Sequence, residues 1–130
     1  MRRMTRILFV TALLLFAASG GALAAEGYMD VEPAKAKELI DTTPDIVVLD
    51  VSPYYAKGHL PKAINHPVGD GSLDKAIPML DKSKTYLVYC HGDGPSIAGA
   101  KKLVAAGFKK VYRLKGNYKA WVDAGYPVEK

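Results

Sequence analysis

Cysteine is almost missing from this chain: a single residue, Cys90, stands among 130. A lone thiol excludes any internal disulfide, so the fold has no covalent staple. Histidine is scarce as well. His59, His66 and His91 are scattered and do not combine with Cys90 into the spacing of a metal site. Arginine is limited to Arg2, Arg3, Arg6 and Arg113, so past the first few residues only one planar fork for an oxyanion is available. Lysines pair at Lys101-Lys102 and Lys109-Lys110 but form no continuous basic stripe, which argues against nucleic-acid binding. No repeat, low-complexity tract or interdomain linker follows residue 24, which bounds the remainder to one domain.

What is present at the start is a targeting pattern. Met1 to Arg6 is basic, Ile7 to Ala18 is mostly apolar, and Ala22-Leu23-Ala24 has the small-x-small form of a processing site. Residues 1–24 are therefore expected to be a signal peptide, and residues 25–130 a single domain in the periplasm or outside the cell. A retained N-terminal anchor is the alternative, although the apolar stretch is short for a membrane span. No cysteine lies at the cleavage point, so the pattern is not that of a lipid anchor. After cleavage no stable membrane insertion is expected. Cleavage removes three arginines and no acidic residue, so the net charge of +5 falls to +2.

Along the remaining chain, apolar runs alternate with helical patterns. Ile46–Leu49 reads as a strand buried on both sides, Thr85–Tyr89 and Lys110–Leu114 as further strands, and Ala63–Asn65 as a weaker one. Proline at 33 opens a helix through Ile40, and Pro53–Lys57 forms a short helix closed by Gly58. Ser72–Leu80 reads as a helix despite Pro78. Helical spacing runs from Ile97 to Val104, and Asn117–Ala124 is a last helix ended by Gly125. Strands alternating with helices at this spacing predict an α/β domain, with a parallel sheet covered on both faces.

Ligands in such sheets bind beyond the carboxyl ends of the strands, where both Asp50 and Cys90 fall. Cys90 opens the stretch Cys90-His91-Gly92-Asp93-Gly94-Pro95-Ser96, a Gly-rich turn ahead of a helix. Amides there are free to bind an anion, and the helix field favours thiolate over thiol. The plainer reading of a lone cysteine is a buried apolar side chain.

Four stretches together resemble the single-domain rhodanese-like sulfurtransferase family. They are Val47-Val48-Leu49-Asp50-Val51, the run from Tyr55 to Asn65 containing Gly58-His59-Leu60-Pro61, the Cys90–Ser96 turn, and Leu114 to Val128 around Trp121. The resemblance implies a three-layer α/β fold with a central five-stranded parallel sheet, and no cofactor. It implies that Cys90 takes sulfane sulfur from a small donor such as thiosulfate or a persulfide. The sulfur would then pass to a thiol, a protein acceptor or cyanide. Residues 91 to 96 would line the sulfur with amides, Gly92 and Gly94 letting the backbone curl, and Ser96 would cap the helix or donate to sulfur.

The pattern departs from the family at four positions. Pro95 stands where many thiosulfate-using relatives carry arginine, and Ser52 where another arginine is common. Lys62 and Asn117 replace glycines. A non-catalytic partner-binding or sulfur-carrier module is therefore the alternative reading. A cysteine-phosphatase reading fails because Ser96 stands where those enzymes need arginine. Among the supporting residues, His91 is expected either to position a donor and tune Cys90 or to face solvent. Asp93 is expected to point outward or cap the helix, His59 to be a structural hydrogen bonder, and Asp50 to organise the rim loops.

Overall fold

Tyr86, Leu87, Val88 and Tyr89 are all buried, which a strand achieves only when both its faces are covered. They belong to the central strand of the computed structural model, which describes residues 27–130. The expected signal peptide, residues 1–24, lies outside the described residues. The strands are β1 (Met29–Val31), β2 (Val47–Asp50), β3 (Ile64–Asn65), β4 (Thr85–Tyr89) and β5 (Lys110–Leu114). They form one five-stranded sheet in the order β1-β5-β4-β2-β3, every neighbouring pair parallel. This is the α/β sheet expected above.

Side chains leave a strand alternately to its two faces, and here each face meets its own helices. Tyr86, Val88 and Cys90 pack with Leu73 of α2 (Ser72–Ala76) and with Ala100 and Leu103 of α3 (Asp93–Ala105). Leu87 and Tyr89 pack with Ala36 and Ile40 of α1 (Pro33–Thr42) and with Trp121 of α4 (Asn117–Asp123). Helix, sheet and helix thus make three layers. No helix among the described residues is long and apolar enough to cross a membrane.

Four local details differ from the sequence expectation, the first being that the short helix expected over Pro53–Lys57 is a 3-10 turn of Tyr55–Lys57. Strand β1 was not anticipated; it pairs with β5 from Met29 opposite Tyr112 to Val31 opposite Leu114. The helix expected over Ser72–Leu80 stops at Ala76 and continues as a 3-10 turn over Ile77–Met79, since Pro78 lacks the N–H that a regular turn needs. Helix α3 begins at Asp93, four residues before the apolar spacing starts, because proline is tolerated in a first turn.

Candidate active site

Strands β2 and β4 are neighbours, with Asp50 in register with Tyr89, so the residues that follow each strand share one rim. The Val51 amide donates to the Tyr89 carbonyl and continues the pairing to the edge of Cys90. Asp50 is fully buried. Its Oδ1 accepts from the Ser52 amide at 2.8 Å and its Oδ2 from the Tyr89 hydroxyl at 2.9 Å. The Tyr89 oxygen in turn accepts from the Leu60 amide at 3.1 Å. Burial, followed by the Asp50 charge, pushes the Tyr89 phenol far above its ordinary pKa, so it stays a donor to the carboxylate. The Asp50 carbonyl accepts from the Asn65 carboxamide and from the His66 amide. Asp50 therefore ties three rim segments together and offers no free face to a substrate.

The loop between β4 and α3 is shorter than the motif suggested. Only His91 and Gly92 lie between Cys90 and the helix; Asp93, Gly94, Pro95 and Ser96 form the first turn of α3. No described residue accepts from the amides of His91, Gly92, Asp93 or Gly94. Pro95 has no N–H, and the Ser96 amide bonds to the Gly92 carbonyl at 3.4 Å. Four amides, not six, remain for an anion.

The two glycines do not supply a curl. Gly92 is extended (φ −155°, ψ 159°) and Gly94 is helical; neither has positive φ. The Ser96 hydroxyl neither caps the helix nor turns to sulfur. It donates to the Asp93 carbonyl at 3.1 Å and accepts from Arg113 Nη1 at 3.1 Å.

Asp93 is exposed, in line with the outward placement expected, but its carboxylate is also held by two side chains of the protein. Oδ1 accepts from Arg113 Nη1 and from Asn117 Nδ2, each at 2.9 Å. These hydrogen bonds, together with the Arg113 charge, hold the Asp93 carboxyl below its ordinary pKa. Arg113 is buried in β5 and grips Asp30 in a fork, Nε to Oδ1 at 2.8 Å and Nη2 to Oδ2 at 2.9 Å. The one arginine of the domain is thus shared between two carboxylates and is not free for a substrate oxyanion. Asn117 and Asp30 belong to this network and were not singled out as site residues from sequence. The available signal was Arg113 itself, a charged residue placed in a strand pattern.

Cys90 is 2% exposed. Its amide donates to Asn117 Oδ1 at 3.2 Å, and its carbonyl accepts from the Tyr118 amide at 3.1 Å. His91 stacks on Tyr118 (centroids 4.6 Å apart) and meets the edge of Tyr54 at 5.2 Å, beside the cysteine. Burial holds the His91 imidazole below its ordinary pKa, with the Asp50 charge pulling partly back, so the ring is neutral at pH 7.

His59 does not join this group. Its Nδ1–H donates to the Tyr55 carbonyl at 3.0 Å and its ring stacks on Tyr55 at 3.7 Å. Its backbone pairs in both directions with Glu129, fastening the segment after α4 to the rim. A cleft of about 370 Å³ at Lys37, Pro61, Lys62, Trp121 and Pro127 contains none of the residues around Cys90. It lies against the α1 and α4 layer, away from the rim that holds Asp50 and Cys90.

A doubly covered parallel sheet, with a buried aspartate and a cysteine at adjacent strand ends under a helix start, defines an α/β cysteine-loop protein. The Rhodanese-like domain model matches residues 32–124, and the chain belongs to that family. It is similar to a thiosulfate sulfurtransferase GlpE of Coxiella burnetii, 33% identical over 96 residues, covering 72% of this chain and 87% of that protein. It is also similar to thiosulfate sulfurtransferase 18 of Arabidopsis thaliana, 28% identical over 116 residues, covering 80% and 85%. Among solved structures, the rhodanese-like domain of the Anabaena sp. Alr3790 protein superposes with a TM-score of 0.69 at 32% identity, covering 77% of each chain.

Proposed function

We propose that this protein is a sulfurtransferase that works through a persulfide on Cys90. The observation that carries the reading is the set of four unclaimed amides at His91, Gly92, Asp93 and Gly94, directly after the cysteine. Aligned amides at a helix start stabilise a negative charge in a site with little water. In the first step the Cys90 thiolate attacks the outer sulfur of a donor. A sulfur–sulfur bond forms, the donor's own bond to that sulfur breaks, and the departing group leaves with the electron pair, as sulfite from thiosulfate or as a thiolate from an organic persulfide. In the second step an acceptor thiolate or cyanide attacks the terminal sulfur, giving a persulfide or thiocyanate and restoring the Cys90 thiolate. Neither step needs an oxidant or a cofactor.

The donor favoured here is a persulfide or another small sulfane-sulfur compound in preference to thiosulfate. Pro95 supplies no charge, and Arg113 is engaged by Asp30 and Asp93. A doubly charged donor therefore meets amide dipoles without a guanidinium. Residues 1–24 are read as a cleaved signal peptide, which places the domain in the periplasm or outside the cell.

The near-complete burial of Cys90, 2% exposed, favours a second reading: a non-catalytic module that binds a partner or carries sulfur passively. Intact mass spectrometry separates the first reading from a partner-binding module, and multiple turnovers of donor to thiocyanate separate it from a passive carrier. Purified protein is incubated with thiosulfate, glutathione persulfide and polysulfide, beside a Cys90→Ser control. One added sulfur on the wild type, removed by cyanide, is expected. A titratable thiol that gains no mass with any donor would assign the chain to the second reading.

A further inference from the structure

We propose that Asn117, together with Asp93, is a positioning residue for Cys90. Its carboxamide locks the cysteine's own amide to the first turn of α3. The purpose assigned to this bridge rests on the sulfurtransferase reading; its geometry does not. Asn117 is 3% exposed and sits in left-handed backbone (φ 58°), a conformation for which glycine is the unstrained choice and asparagine the best-suited alternative.

The side chain uses both its ends. Oδ1 accepts from the Cys90 amide at 3.2 Å while Nδ2 donates to Asp93 Oδ1 at 2.9 Å. The next residue, Tyr118, donates its amide to the Cys90 carbonyl at 3.1 Å. Both polar groups of the Cys90 backbone are therefore held by the first two residues of α4. Asp93 is fixed in turn by Arg113, which is anchored on Asp30 in β1 and also reaches Ser96 in α3. A loop of only two residues separates Cys90 from α3, so fixing Cys90 at one end and Asp93 at the other fixes every free amide between them. Asn117 thus sets the angle at which those dipoles meet the sulfur, a task that neither Gly92 nor Gly94 performs through its backbone.

The test compares Asn117→Gly and Asp93→Ala with the wild type. Each variant is read by thermal unfolding and by the pH profile of Cys90 alkylation with iodoacetamide, or by ultraviolet thiolate absorbance if the thiol is closed to that reagent. Asn117→Gly removes the bridge and keeps backbone that tolerates φ 58°. Asp93→Ala cuts the same bridge from the far side. In both, the thiolate midpoint is expected to rise by about one pH unit, with about tenfold slower alkylation below it. The second variant fixes the sign: deleting a nearby carboxylate favours thiolate by charge alone, so a rise reports the lost bridge. A folded variant of either kind whose midpoint is unchanged or lower overturns the proposal, even if its melting temperature falls, since a merely structural role moves melting alone. Failure of the wild type to take up sulfur would sink the sulfurtransferase reading and leave this comparison standing.

Discussion

Asp30→Ala removes two hydrogen bonds to Arg113, whereas Arg113→Met removes four, yet the variant that deletes fewer should unfold more easily. The reason is which charge is left behind. The Arg113 side chain is 5% exposed, against 44% for Asp30 and 68% for Asp93. Methionine at 113 keeps the apolar stem, and both carboxylates turn to water at little cost, so about 1–1.5 kcal/mol is lost. Alanine at 30 leaves a guanidinium in the sheet with Asp93 and Ser96 as its partners, and the desolvated cation raises the cost to about 2–3 kcal/mol. The gap of about 1 kcal/mol corresponds to roughly 4–8 °C in melting temperature for a domain of this size. Urea unfolding followed by Trp121 fluorescence resolves it, provided that the slopes match. Equal stabilities, or a less stable Arg113→Met, would show that counting bonds is the better guide here and that burial of the cation is unimportant.

Lys62 has φ 66°, so Lys62→Gly should stabilise the fold by about 0.5–1 kcal/mol after the entropy cost of glycine, measurable as a higher urea midpoint. Gly58 has φ 144°, and a Cβ there would lie 2.2 Å from the Tyr118 hydroxyl. Gly58→Ala should therefore cost at least about 1 kcal/mol and shift Tyr118 against His91, seen as a changed His91 titration by NMR. The Asp93 carboxyl is held below its ordinary pKa in the fold, so its contribution is complete above the unfolded value near 3.8 and is lost as pH falls through the lower folded value. Asp93→Asn should flatten the acid limb of stability in that window, and an unchanged limb would remove Asp93 from the acid response.

Much of the architecture was legible because the burial pattern is simple. Thr85–Tyr89 and Lys110–Leu114 are strands over the very residues expected; the first is a nearly continuous apolar run, as a strand covered on both faces must be, and the second keeps Val111, Tyr112 and Leu114 around Arg113. The placement of Asp50 and Cys90 on one rim followed from the same logic. Strand β1 escaped because it has three residues with Asp30 in the middle, and its stability comes from pairing and the Arg113 fork, not from composition. The start of α3 was hidden by Gly92-Asp93-Gly94-Pro95, residues poor in helix propensity that are held by Arg113 and Asn117 from elsewhere in the chain. Contacts such as that between Asn117 and Cys90 link positions 27 residues apart, and no local periodicity reports them.

The pairing of His59 with Glu129 has a practical side. Lys130 is the next residue, so an affinity tag or fused domain attached there pulls directly on the His59 segment. That segment abuts Tyr118 through Gly58, and Tyr118 supports the imidazole next to the thiol. A load placed at residue 130 is thereby linked by contact, through His59, Gly58 and Tyr118, to the surroundings of Cys90, and a handle placed ahead of Tyr28 spares that linkage.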